Sequence, residues 1–134
     1  MKFPDGYSTD PDFDPAEDYI GPFYWRQEAV GFECAFMPES KNCNLHGQVH
    51  GGVLMTFADF ALCIAATDHY GSESCGTVSF HADFTAAAGE GELVTCLPEV
   101  TRKTGSMVFV SGKLISDGQV VMTFSSVVKR LRNE

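Results

Sequence analysis

Apolar positions along this chain repeat with two different periods, and the change of period marks its elements. From Val30 to Met37, Phe32, Cys34 and Phe36 share one face, the two-residue repeat of a strand, and Pro38 closes it. From Gly51 to Thr67 apolar residues, among them Val53, Leu54, Phe57, Phe60 and Ile64, cover every side of a helix. Such a helix must be buried, and Gly71 is its stop signal. Alternation then returns at Val78, Phe80, Ala82 and Phe84. A strand over Leu93–Thr101 follows the turn signal Gly89-Glu90-Gly91, with Pro98 marking an edge or a bulge. Met107–Ile115 forms another strand, and Val120, Met122, Phe124 and Val128 alternate after the hairpin turn Asp117-Gly118. The order predicts an α+β domain: one long buried helix wrapped by a curved antiparallel sheet of about five strands.

The remaining segments fit this plan loosely. Residues 1–18 carry three prolines and six acids and read as an irregular acidic arm, leaving 19–134 as a single domain. Ile20 to Trp25 is apolar and aromatic and is expected to pack on the domain as a short helix or turn. At 134 residues, with 44% hydrophobic content, the chain has the length of one domain. The apolar run Val53–Ala66 is too short to span a bilayer, and the N-terminus lacks a signal-type stretch, so a cytoplasmic protein is the default expectation.

Charge and cysteine content narrow the partners. A net charge of −9 argues against nucleic acid. The charge is uneven: residues 101–134 hold six bases, among them Arg102, Lys103, Lys129 and Arg130. They form either a solvated face or a surface for a phosphorylated small molecule. The five cysteines contain no C-x-x-C pair, which argues against a disulfide framework and a zinc site. His46 and His50 lie four apart but on a loop without an obvious third ligand, so no metal is expected.

Two features carry chemistry. Asp59 is a carboxylate in the middle of the apolar helix, where a lone charge is costly. It either hydrogen-bonds a neighbouring element or acts as a general base or nucleophile. His50-Gly51-Gly52 opens the same helix. Its free N–H groups and missing Cβ atoms suit an oxyanion hole, with Gly51 and Gly52 letting a ligand approach the backbone. Eight residues at ~1.5 Å each separate Asp59 from Gly51 by about 12 Å, too far for both to touch one carbonyl. If they cooperate, they come from two subunits, which predicts a homodimer with shared sites.

At these residues the sequence resembles the hotdog-fold thioesterase superfamily, and within it the phenylacetate-pathway (PaaI-like) acyl-CoA thioesterases. The match runs from Asn44 through His50-Gly51-Gly52 to Asp59, with Thr77–Phe84 similar to the family's second strand. The resemblance implies a hydrolase whose Asp59 activates water or attacks the thioester itself, with the Gly51 N–H polarising the carbonyl. It also implies that Asn44 sits beside the carbonyl or the water, that His50 supports the oxyanion loop, and that Thr77 orients the water. Coenzyme A would be part of the substrate rather than a cofactor, its phosphates falling to Arg102, Lys103, Lys129 or Arg130. The assembly would be a homodimer, with a homotetramer left open. Relatives usually read Pro-Ala where this chain has Ala86-Ala87-Ala88, which bears on acyl specificity. Two alternatives remain. A hotdog dehydratase or hydratase would use His with an acid, but no His-Phe-Pro-Gly stretch is present. A non-catalytic acyl-CoA-binding module would not need Asp59.

Overall fold

The computed structural model describes residues 3–132 of the chain. Its central element is helix α2, Gly51–Thr67, with the bounds the periodicity predicts. His50 caps its start: the imidazole Nδ1 accepts the Gly52 N–H at 3.2 Å. The end comes earlier than Gly71. Asp68 takes a left-handed φ of 52°, and the His69 N–H returns to the Ile64 carbonyl. Phe57 is fully buried, its ring 5.3 Å from that of Phe23 and 5.6 Å from that of Phe36. Burial of one such ring contributes about 1.5–3 kcal/mol.

Among the described residues seven strands surround the helix rather than about five: β1 Phe23–Gln27, β2 Phe32–Phe36, β3 Glu73–Phe84, β4 Val94–Cys96, β5 Glu99–Lys103, β6 Met107–Ser116 and β7 Gln119–Arg132. They pair antiparallel in the order β1-β2-β4-β6-β7-β3, with β5 also on β6. This is the hotdog arrangement. Asp117 and Gly118 both have positive φ, 50° and 74°, the geometry of a type I′ hairpin turn between β6 and β7.

Several expectations change. Ile20–Trp25 is not a short helix or turn throughout, because Phe23–Gln27 pairs with Phe32–Phe36 as β1. The expected strand Leu93–Thr101 divides at Leu97-Pro98, since proline has no N–H for a ladder. The acidic segment contains a helix, α1 Pro15–Ile20, whose N-cap Asp14 accepts the Glu17 N–H at 3.0 Å. Further up the segment, Ser8 exchanges two backbone hydrogen bonds with Trp25 and so covers the edge of β1.

The opposite edge is different. Among the described residues of the protomer β3 pairs with β7 alone, leaving a twelve-residue strand with one open side. Beside it, α2 is not buried all round. Gly52, Met55, Thr56 and Asp59, spaced three and four apart, form a stripe of exposed or half-buried positions. An open edge next to an uncovered helical stripe is a surface suited to pairing.

Candidate active site

Helix α2 lies along β3, and three contacts fix their register. At the start of the helix the Phe84 ring packs on Gly51 so closely that a Cβ there would meet Phe84 Cζ at 3.1 Å. Midway, Asp59 Oδ1 accepts the Thr77 hydroxyl at 2.7 Å. One turn on, Cys63 Sγ lies 4.0 Å from Thr77 Oγ1, with Cys75 two residues before Thr77 on the same face of the strand. A β-bulge makes this register possible. Val78 is the extra residue between the pairs Thr77–Val128 and Ser79–Val127. It shifts the strand's alternation, so Cys75 and Thr77 face the helix before it while Phe80 and Ala82 pack against the core after it. Val78 itself, expected on the inner face, is 58% exposed. Asp59 is likewise not sealed within the protomer; it is half-buried, on the stripe beside the open β3 edge.

The loop before α2 is tied down from both sides. Asn44 Oδ1 accepts the N–H groups of His46 at 2.9 Å and Gln48 at 3.2 Å, so its side-chain oxygen shapes the turn. Asn42, not singled out in the sequence, is a buried anchor. Its Nδ2 donates to the Ile20 carbonyl, its Oδ1 accepts from Glu39 N–H, and its carbonyl accepts the His50 N–H at 2.9 Å. The Glu39-x-x-Asn42 spacing of a capping box is the signal that could have found it. With His50 Nδ1 holding the Gly52 N–H, and Val53 and Leu54 donating to the His50 carbonyl, the Gly51 N–H donates no hydrogen bond among the described residues. It borders a cleft of about 340 Å³ lined by Gln48, Leu54, Phe84 and the Ala86–Ala88 run. A helix-start N–H facing an open cleft can stabilise a developing oxyanion.

The four basic candidates separate. Arg130 donates to Glu73 from Nε and Nη2, both at 2.9 Å, and to the Thr104 carbonyl at 2.7 Å. Lys103 Nζ sits 3.3 Å from the same carboxylate and from the Ala66 carbonyl. Hydrogen bonding from Arg130 foremost, then Lys103, outweighs burial and holds the Glu73 carboxyl down at about 2. These two bases are engaged in an internal ion cluster, which speaks against phosphate binding by either. Arg102 and Lys129 are exposed. One acid near the site behaves oppositely: burial, then the charges of Asp14, Asp59 and Asp18, push Glu17 of α1 up to about 7.

The family model of the thioesterase superfamily matches residues 46–123, a span that includes the α2 start, Asp59 and Thr77. The chain belongs to the thioesterase superfamily. Among individual relatives, it is 32% identical over 129 residues to a candidate esterase of Pseudomonas aeruginosa, covering 95% of this chain and 96% of that one. The structure of a mutant of the phenylacetic acid degradation protein PaaI from Thermus thermophilus superposes with a TM-score of 0.76. It is 25% identical, over 88% of this chain and all of that one (100%). The PaaI protein of the E. coli phenylacetic acid degradation operon shares the fold, with a TM-score of 0.80 at 16% identity over 90% of this chain and 86% of that one.

Proposed function

We propose that the chain hydrolyses acyl-CoA or aryl-acyl-CoA thioesters as a homodimer, without a metal or redox cofactor. The observation that carries this reading is the Asp59–Thr77 pair, set on the uncovered stripe of the helix whose first N–H, at Gly51, is unpartnered among the described residues. Pairing of two β3 edges across a two-fold axis would bring the α2 helices together antiparallel, so that Asp59 of one protomer meets the Gly51 end of its partner.

In the reaction, the Gly51 N–H donates to the thioester oxygen and stabilises the charge that develops there. The Asp59 carboxylate, held by Thr77, takes a proton from water as the water oxygen attacks the carbonyl carbon. Collapse of the tetrahedral intermediate breaks the C–S bond and releases the coenzyme A thiolate and the free acid. His50 and Asn42 set the loop, Asn44, whose Oδ1 is taken up by the turn, would offer its amide nitrogen to the carbonyl or the water, and the exposed Arg102 and Lys129 serve the phosphates.

A thiol-release assay over a panel of acyl-CoA esters tests the reading. Hydrolysis by the wild type, and loss of at least a thousandfold in Asp59→Asn with the dimer intact, is the expected result. Hydrolysis by Asp59→Asn at the wild-type rate, or hydration of crotonyl-type esters in place of thiol release, defeats it.

A further inference from the structure

We infer that Cys63 and Cys75 form an oxidisable dithiol, closed to a disulfide by hydroperoxides, and that closing it switches off the adjacent Asp59–Thr77 pair. The placement comes from the register of α2 on β3. Asp59 faces Thr77 at 2.7 Å; four residues along the helix and two back along the strand, on the same facing sides, stand Cys63 and Cys75, the latter packed on the core cluster that contains Cys63. The two pairs are adjacent rungs of one ladder, and the 4.0 Å contact between Cys63 Sγ and Thr77 Oγ1 joins them.

The two thiols divide the chemistry. Cys75 is half-buried on β3, whereas Cys63 is 8% exposed under it. Interaction with the neighbouring Cys63 lowers the Cys75 thiol, more than its burial and the charges of Asp59 and Glu73 raise it. The same contact, together with burial, keeps the Cys63 proton in place. Cys75, the more accessible of the two thiols as well as the lowered one, is therefore the attacking sulfur. Its thiolate displaces an alcohol or water from the hydroperoxide, breaking the O–O bond and leaving a sulfenic acid. The Cys63 sulfur then attacks the Cys75 sulfur, the S–O bond breaks, and the Cys63 proton leaves with the hydroxide as water. Two thiols and one hydroperoxide give one disulfide, one alcohol and one water. The other facing pair, Cys34 and Cys96 on β2 and β4, is at 0% and 2% exposure, and burial raises both thiols, so it stays reduced.

Closure must bring the two sulfurs to about 2.05 Å. Pulling Cys63 onto Cys75 to bonding distance disturbs its 4.0 Å contact with Thr77 Oγ1, the group that holds Asp59. A misplacement of about 1 Å at a catalytic group costs on the order of a hundredfold in rate. The dithiol stands independently of the thioesterase reading; its effect on turnover rests on that reading.

The test treats the reduced full-length protein with hydrogen peroxide, maps disulfides by peptide mass, and measures thiol release before and after dithiothreitol. The expected result is a Cys63–Cys75 linkage with a mass loss of about 2 Da, a fall in turnover of at least tenfold, and recovery on reduction. Cys75→Ser should lose the linkage and the reversible fall, each activity being compared with the same protein's reduced state, while Cys43→Ser should keep both. Absence of the Cys63–Cys75 linkage, or a linkage that leaves turnover unchanged, overturns the inference. If the reduced protein hydrolyses no thioester, the thioesterase reading fails, and peptide mapping still decides whether the dithiol forms.

Discussion

Replacing Thr77 by Val removes one hydroxyl and nearly nothing else, so it isolates what that hydroxyl does for Asp59. The bond is short, 2.7 Å, and its acceptor is a carboxylate. A hydrogen bond to a charged group contributes about 1.5–3 kcal/mol. At about 1.4 kcal/mol per factor of ten this corresponds to a loss of roughly 10- to 150-fold if all of it orients the base. Asp59 is half-buried in the protomer, so water can replace part of the interaction and the lower end applies. We expect Thr77→Val to lower kcat about tenfold with KM little changed, because the hydroxyl steadies the base and does not hold the substrate. Thr77→Ser, which keeps the oxygen, should recover most of the loss. The assay is steady-state thiol release with the best acyl-CoA ester. A Val variant within twofold of wild type, or a Ser variant as impaired as Val, would refute the positioning role.

Three further outcomes follow from the packing and charge. A Cβ at Gly112 would come within 2.8 Å of the Phe124 ring and 3.4 Å of Cys96 Sγ, so Gly112→Ala should destabilise by about 1–3 kcal/mol in denaturant titration; an unchanged midpoint would show that the ring moves freely. Glu17 is raised in the fold, so its stabilising neutral form is fully present below about 4.5 and is lost as pH rises through about 7. Glu17→Gln should therefore raise Tm at pH 8 and leave it unchanged at pH 4, and equal shifts at both would contradict this. Glu73 is depressed, so its contribution is present above about 4.5 and is lost as pH falls toward about 2. The wild type should lose more Tm than Glu73→Gln between pH 5 and pH 2.5, and parallel curves would exclude the ion cluster as an acid-sensitive support.

Long periodic segments were the readable part of this fold. Helix α2 and the hairpin β6–β7 each combine a clear repeat with an unambiguous terminus or turn, His50-Gly51-Gly52 in one case and Asp117-Gly118 in the other. Strand β1 was hidden because Phe23, Tyr24 and Trp25 are all large and aromatic and show no alternation. Helix α1 was hidden by the acids around it, although Asp14-Pro15 with Glu17 is a start signal in its own right. The bulge at Val78 defeats any reading by alternation, since one inserted residue reverses the faces on either side of it. Of the candidate site, Gly51 and Asp59 stand out in the sequence because each breaks a local rule, a glycine pair at a helix start and an acid in an apolar helix. Partners that depend on distant pairing were not: Glu73 meets Arg130 across β3 and β7, and Asn42 reaches Ile20 across the core.

Sharing of the site between protomers is tested most directly by a hybrid dimer. One protomer carries Asp59→Asn and the other Gly51→Val, each with its own affinity tag, and the doubly tagged species is purified after co-expression. In a shared arrangement one of its two sites pairs a native Gly51 with a native Asp59, whereas the other has neither. The hybrid should then release thiol at about half the wild-type rate, far above either parent homodimer. A purified hybrid no more active than its parents would place both groups in one chain's site and contradict the account.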